Sequence, residues 1–241
     1  MEAELQIRRH LHVLLQTRLG RASSQSFRRA SFFAGSLRTQ SVKMLELRPA
    51  RECEVVLAFL RAEVDASRYG QAVMQWLLAT RFTRDELLEN ADLSDVRQNQ
   101  ARATILGRYR GFPDRLLFAG FPADAAWQRA EIEPKEMNRL RYARYKDWMV
   151  YSDNTRKPSR LIEKMRRGEI PSQDADRFRA IHYTIGQGKR FPELIAVEGQ
   201  DDELILMEGH SRATAYIASD FSENVGLFVA SSPSMHRWAF Y

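Results

Sequence analysis

The sequence predicts an α+β fold, with a helical N-terminal module preceding a domain built on a mixed sheet. Three observations predict it. Apolar residues recur at helical spacing between Leu45 and Gly111. At Pro113 the pattern changes to short apolar runs alternating with helical ones. Residues 193–208 read as two apolar runs joined by a polar turn, a hairpin that requires at least one antiparallel pair. The predicted organisation is a basic extension over 1–43, a helical module over 44–111 and a mixed α and β domain over 113–241.

The first 43 residues are rich in Arg and Ser, and carry eight basic and two acidic side chains. Three readings fit them: a targeting-like presequence, a basic arm for an anionic partner, or a poorly ordered extension. Met44 stands where the composition turns ordinary and is a candidate native start, beside the reading of 1–43 as a poorly ordered extension.

In the helical module, Pro49 suits a first helical turn. ECEVVLAFLRAEV (52–64) places Val55, Val56, Phe59, Leu60 and Val64 on one face. GQAVMQWLLAT (70–80) repeats the pattern with Val73, Met74, Leu77 and Leu78. Thr83 and Glu86 form a capping box, Ser94 suits a further N-cap, and Gly111 closes the last helix of the module.

Beyond Pro113, DRLLFAGF (114–121) and WQRAEIE (127–133) read as short strands, and Pro134 opens a helix over PKEMNRLRYARY. SDNTRKPS (152–159) is a polar loop. Helices follow at 159–170 and 172–189, the second capped by Ser172 and ended by Gly186 and Gly188. The hairpin PELIAVE–GQDD–ELILMEG (192–209), the helix HSRATAYIAS (210–219) and the strand NVGLFVASS (224–232) complete the order.

The net charge of +6 resides wholly in residues 1–43, because residues 44–241 hold equal numbers of acidic and basic side chains. Net charge therefore gives the folded body no general attraction for nucleic acid. No run of ~18 apolar residues suits a membrane helix. The single cysteine, Cys53, excludes an internal disulfide and fits a reducing compartment, so a cytoplasmic location is expected. The five histidines show no zinc-ligand spacing, and no P-loop or GxSxG motif is present.

Chemistry concentrates in ELILMEGHSRATAYIAS (203–219). A strand delivers Glu208 to its end, Gly209 turns the chain, and a helix begins at His210 or Ser211. A helix N-terminus carries unpaired N–H groups and partial positive charge, which suit an anion. Gly209 allows close backbone approach, while His210, Ser211 and Arg212 add side-chain donors for phosphate oxygens. Glu208 can bind magnesium or accept a proton from an attacking hydroxyl, with His210 as a second catalytic candidate. The same residues also suit a plain strand–turn–helix in which Ser211 caps and Glu208 pairs with Arg212. Asp153, Asn154, Thr155 and Arg156 form a candidate substrate loop. His182 reads as a surface residue, while His236 lies in a tail whose Trp238, Phe240 and Tyr241 pack on the domain or cover a ligand.

AEIEPKEMNRL, AIHYTIGQGKRFPELIAVEGQDDELILMEG and GHSRATA together resemble the ParB/sulfiredoxin superfamily, over residues 127–229. In that pattern a strand runs into a helix, a later helix ends in Gly before a Pro-led hairpin, and the hairpin runs into a Gly-x-x-Arg box. The free-serine kinases of that fold read Asp-Gly-His-His-Arg, which Glu208–Arg212 is most similar to. The sulfiredoxin box needs a cysteine that is missing here, and ParB partition proteins continue into DNA-binding and dimerisation regions beyond the box. The second His of the kinase box is replaced by Ser211. The resemblance implies a nucleotide, ATP or ADP, with magnesium, and a small hydroxylated acceptor. The alternative is a regulator that binds nucleotide, DNA or protein without turnover, using the helical module to dock a partner.

Overall fold

Apolar residues on both sides of the central strands dictate the architecture. In the computed structural model, which describes residues 45–241 except Ser67 and Asp220, the strands are β1 (Leu45–Ala50), β2 (Ala126–Ile132), β3 (Leu140–Tyr142), β4 (Leu194–Glu198), β5 (Leu204–Glu208) and β6 (Val225–Ser231). They form one mixed six-stranded sheet in the order β1-β2-β6-β4-β5-β3. β1–β2, β2–β6 and β4–β5 pair antiparallel, whereas β4–β6 and β3–β5 run parallel. The expectations for residues 1–43 and for Met44 lie outside the described residues.

Successive strand residues point to opposite faces, and here both faces are apolar. Ile195 and Val197 of β4, Ile205 and Met207 of β5, and Phe228 and Ala230 of β6 enter one core. Their neighbours Leu194, Ala196, Leu204, Leu206, Leu227 and Val229 enter a second. The first core is covered by α1 (Glu52–Glu63), α2 (Gly70–Leu78) and α3 (Val96–Arg110). The second is covered by α4 (Lys146–Tyr151), α5 (Pro158–Arg166), α6 (Ser172–Gly186) and α7 (His210–Ala218). The helices read from residues 44–111 thus pack on one sheet face and those after residue 145 on the other, in a three-layer mixed α and β arrangement.

Several local expectations hold. Val55, Val56, Phe59, Leu60 and Val64 are buried. Thr83 and Glu86 make the reciprocal capping box, with the Thr83 N–H donating to Glu86 Oε2 at 2.7 Å and the Glu86 N–H to Thr83 Oγ1 at 3.2 Å. Gly111 ends α3 in the left-handed region, at φ 79°.

Others change. Residues 45–50 form a strand, and Pro49 fits there because β1 is an edge strand that pairs on one side only among the described residues. Leu78, at the end of α2, is exposed. Asp95 caps α3, its carboxylate accepting from the N–H groups of Arg97 (2.7 Å) and Gln98 (3.3 Å), while Ser94 donates to Asp92. Pro171 occupies the N-cap of α6, and Ser172 is its first helical residue. Leu116–Phe118 forms a 3-10 turn, because Leu117 and Phe118 are held in the first core by packing and not by strand pairing. Pro134–Arg139 is a 3-10 helix that gives way to β3, where buried Leu140 and Tyr142 flank half-buried Arg141 with the period of a strand.

Candidate functional site

β5 ends at Glu208, whose register partner is Ile195. Gly209 then takes φ +95°, a conformation side-chain-bearing residues avoid, and a Cβ there would lie 2.5 Å from Leu194 Cδ2. Gly209 is the N-cap of α7, and its carbonyl accepts from the Ala213 N–H at 2.8 Å. Ser211 is the second helical residue, half-buried, and does not serve as the cap.

His210 turns inward. Its ring lies 4.9 Å from that of Trp148, 5.2 Å from Tyr145 and 5.7 Å from Tyr142. Its Nε2 accepts from the Ala143 N–H at 3.4 Å. Burial, aided by Arg110 and Arg212, pushes its pKa down to about 3. A buried imidazole that stays neutral is suited to fastening α7 to the segment after β3, not to moving protons near neutral pH. The ring that the sequence offered as a catalytic candidate is thus placed in the interior, packed among Tyr142, Tyr145 and Trp148.

Arg212 also faces the interior. Its Nη1 donates to the carbonyls of Pro192 and Glu193, the latter at 3.2 Å, and its Nη2 donates to Glu208 Oε1 at 3.3 Å. The Glu208–Arg212 pairing weighed from the sequence is therefore present. The guanidinium clamps the entry of β4 to the exit of β5, which leaves it few donors for an external anion.

Two residues from the helical face join this corner. Arg110, the last residue of α3, donates through Nη2 to Glu63 Oε1 and through Nε to Glu63 Oε2 at 3.3 Å. The same Nη2 lies 3.7 Å from Glu208 Oε2, and the guanidinium sits over the Tyr69 ring, 3.8 Å from its centroid. The result is an alternating chain Glu63–Arg110–Glu208–Arg212. Side-chain exposure is 3% for Glu63 and 8% for Arg212, but 17% for both Arg110 and Glu208, so solvent reaches the middle of the chain. Burial and then the Glu208 charge push the Glu63 carboxyl up, against the pull of Arg110. Burial opposes the Arg110 charge, but Glu63 and Glu208 prevail and hold its pKa above the usual arginine range.

Sequence reading missed Glu63, Arg110 and Tyr145. Glu63 did leave a signal: it stands three and four residues after buried Leu60 and Phe59, an acid inside an apolar helical stripe. Arg110 reads locally as an ordinary cation at a helix C-terminus.

The 153–156 loop does not converge on Glu208. Asp153 accepts from Arg160 Nε (2.8 Å) and Lys164 Nζ (2.6 Å) on α5, Asn154 is exposed, and Thr155 donates to the Ser152 carbonyl. Arg156 laces the loop to β3, its Nε donating to the Tyr142 carbonyl and its own carbonyl accepting from the Tyr142 N–H, both at 2.7 Å. His182 and His236 are exposed. The tail packs as one of its two readings required: Trp238 Nε1 donates to the Leu117 carbonyl at 2.7 Å, and the Phe240 ring lies 4.6 Å from that of Tyr145.

The surroundings of Glu208 do not fit a protein-held magnesium ion. Guanidiniums flank its carboxylate on both sides, Arg110 Nη2 at 3.7 Å from Oε2 and Arg212 Nη2 at 3.3 Å from Oε1, where a bound cation would have to sit. No helix among the described residues is long and apolar enough to cross a membrane. Neither a family model, nor a curated protein, nor a solved structure matches this chain.

Proposed function

We propose that the corner formed by Glu208, Gly209 and the N-terminus of α7 binds the phosphates of a nucleotide, ATP or ADP, and passes a phosphoryl group to the hydroxyl of a small metabolite. The observation that carries this reading is one juxtaposition. An acid partly open to solvent abuts the N–H end of a nine-residue helix across a left-handed glycine, with the Arg110 guanidinium on its other side. Strand, helices, Pro-led hairpin, box and closing strand also follow the order that a ParB/sulfiredoxin-like domain implies, and this supports the same reading.

In the reaction, the α7 N–H groups and Ser211 hold the terminal phosphate, and Arg110 offsets its charge. Glu208 accepts the proton of the acceptor hydroxyl as the new O–P bond forms and the bond to the leaving nucleotide breaks. Such transfer depends on positioning and charge stabilisation, which this corner supplies. His210 and Arg212 hold the corner in shape. The guanidiniums of Arg110 and Arg212 occupy the positions beside Glu208 that a magnesium ion would need.

A second reading has its own observation. The inward use of His210 and Arg212 leaves the box short of catalytic side chains, as suits a regulator that binds nucleotide without turning it over.

Calorimetry with ATP, ADP, CTP and GTP tests both. The wild type is expected to bind one of them, and Ser211→Glu to abolish that binding, because a carboxylate at this position favours the helix but repels phosphate. Glu208→Gln is expected to retain binding and lose transfer. Binding of no nucleotide, or equal binding by Ser211→Glu, sinks the proposal; tight binding with no transfer to any hydroxylated acceptor selects the regulator.

A further inference from the structure

A second polar site lies at the other end of β5, about 16 Å along the strand from Glu208 if each of the five steps spans ~3.3 Å. It is a cleft of about 390 Å³, within the range that small ligands occupy. Three segments wall it: Asn138, Arg139 and Arg141 around the start of β3, Lys157 and Ser159 at the N-terminus of α5, and Asp201, Asp202 and Glu203 in the β4–β5 turn.

Half of these groups are already committed. Arg139 donates to the Asp202 carbonyl (2.7 and 3.0 Å) and to Glu136 Oε2 (3.1 Å). Arg141 donates to Glu203 Oε1 at 2.8 Å and to the carbonyls of Asn138 and Leu140. These contacts build the walls, and the Arg139 pair with Asp202 Oδ2 (3.5 Å) and the Arg141 pair with Glu203 offset both carboxylates. The remaining groups are the Lys157 ammonium, the Ser159 hydroxyl, the Asn138 amide and the Asp201 carboxylate, whose side chains make no hydrogen bond or ion pair with other described residues.

The uncommitted set has a sense. One segment offers a cation and a hydroxyl at a helix N-terminus, where partial positive charge adds to that of Lys157. Another offers a lone carboxylate, held at φ +51° by the turn. An anion alone would meet Asp201, and a cation alone would meet Lys157. We propose that this cleft binds a small zwitterion, with a carboxylate or phosphomonoester on Lys157, Ser159 and the α5 N-terminus, and an ammonium on Asp201 with the Asn138 carbonyl oxygen. This site is independent of the phosphate chemistry at Glu208.

Amide chemical shifts of the full chain, titrated with glycine, γ-aminobutyrate and phosphoethanolamine, test it; inorganic phosphate, acetate and ethylammonium are the single-charge controls. At least one zwitterion is expected to shift the Ser159 and Asp201 amides saturably and to bind at least ten-fold tighter than every control. The γ-aminobutyrate and phosphoethanolamine arms decide between carboxylate and phosphate. Lys157→Gln and Asp201→Asn are each expected to weaken binding at least ten-fold. Both side chains are exposed, and Asn tolerates a left-handed backbone, so the fold is retained. No saturable shift, controls that bind as well as the zwitterions, or wild-type affinity in either variant overturns the proposal.

Discussion

The two ends of β5 handle charge in opposite ways. At Glu208 four charged groups alternate along a chain that is mostly buried, and each group depends on the next. At the Asp201–Glu203 turn the charges are half-exposed, paired within their walls, and leave uncommitted groups facing solvent. The difference teaches that equal numbers of acids and bases can make a structural strut or a receptive cleft, depending on how much water each retains.

Breaking the buried chain should have the largest effect. Arg110→Met leaves Glu63 without its partner at 3% exposure, and is expected to lower stability by about 3–5 kcal/mol in denaturant titration. A loss below about 1 kcal/mol would mean that the Glu63 carboxyl is held neutral. Gly209→Ala comes next, at about 2–3 kcal/mol, because it combines a disfavoured backbone angle with a contact on Leu194; thermal unfolding with unchanged secondary structure checks it.

His210 sharpens the comparison through pH. Its folded pKa of about 3 lies below the ordinary 6.5, so between these values the unfolded chain binds a proton that the folded chain excludes. This contribution is complete above pH 6.5 and is lost as pH falls toward 3, the loss amounting to about 2 kcal/mol by pH 5. Denaturation curves at pH 7 and pH 5 should therefore differ less in His210→Gln than in the wild type, by about that amount. At the open end the effects shrink. Glu203→Gln removes the half-exposed partner of Arg141 and should cost about 0–1 kcal/mol. Asp201→Asn should leave the melting temperature within a degree or two, since it alters an exposed, unpaired group.

Much was legible in the chain itself. The hairpin, the turn at Gly209, a helix starting at His210 or Ser211 and the apolar stripe of α1 followed from spacing and from glycine, which are local signals. Residues 45–50 and 114–121 were misread for one reason: strand pairing is settled by a distant partner. β1 needed β2, some 80 residues away, to become a strand, and Leu116–Phe118 found no strand to pair with and packed as a 3-10 turn.

The candidate site divides the same way. The sequence alone determined that Glu208, Gly209 and a helix N-terminus would be neighbours, because they are consecutive across one turn. Only the tertiary structure decided that His210 and Arg212 point inward, since an aromatic nest from residues 142–148 and two carbonyls at the entry of β4 claim them. It alone also brought Glu63 and Arg110 to Glu208 from the ends of α1 and α3, because burying an acid is tolerable only where a cation from elsewhere in the chain is packed against it.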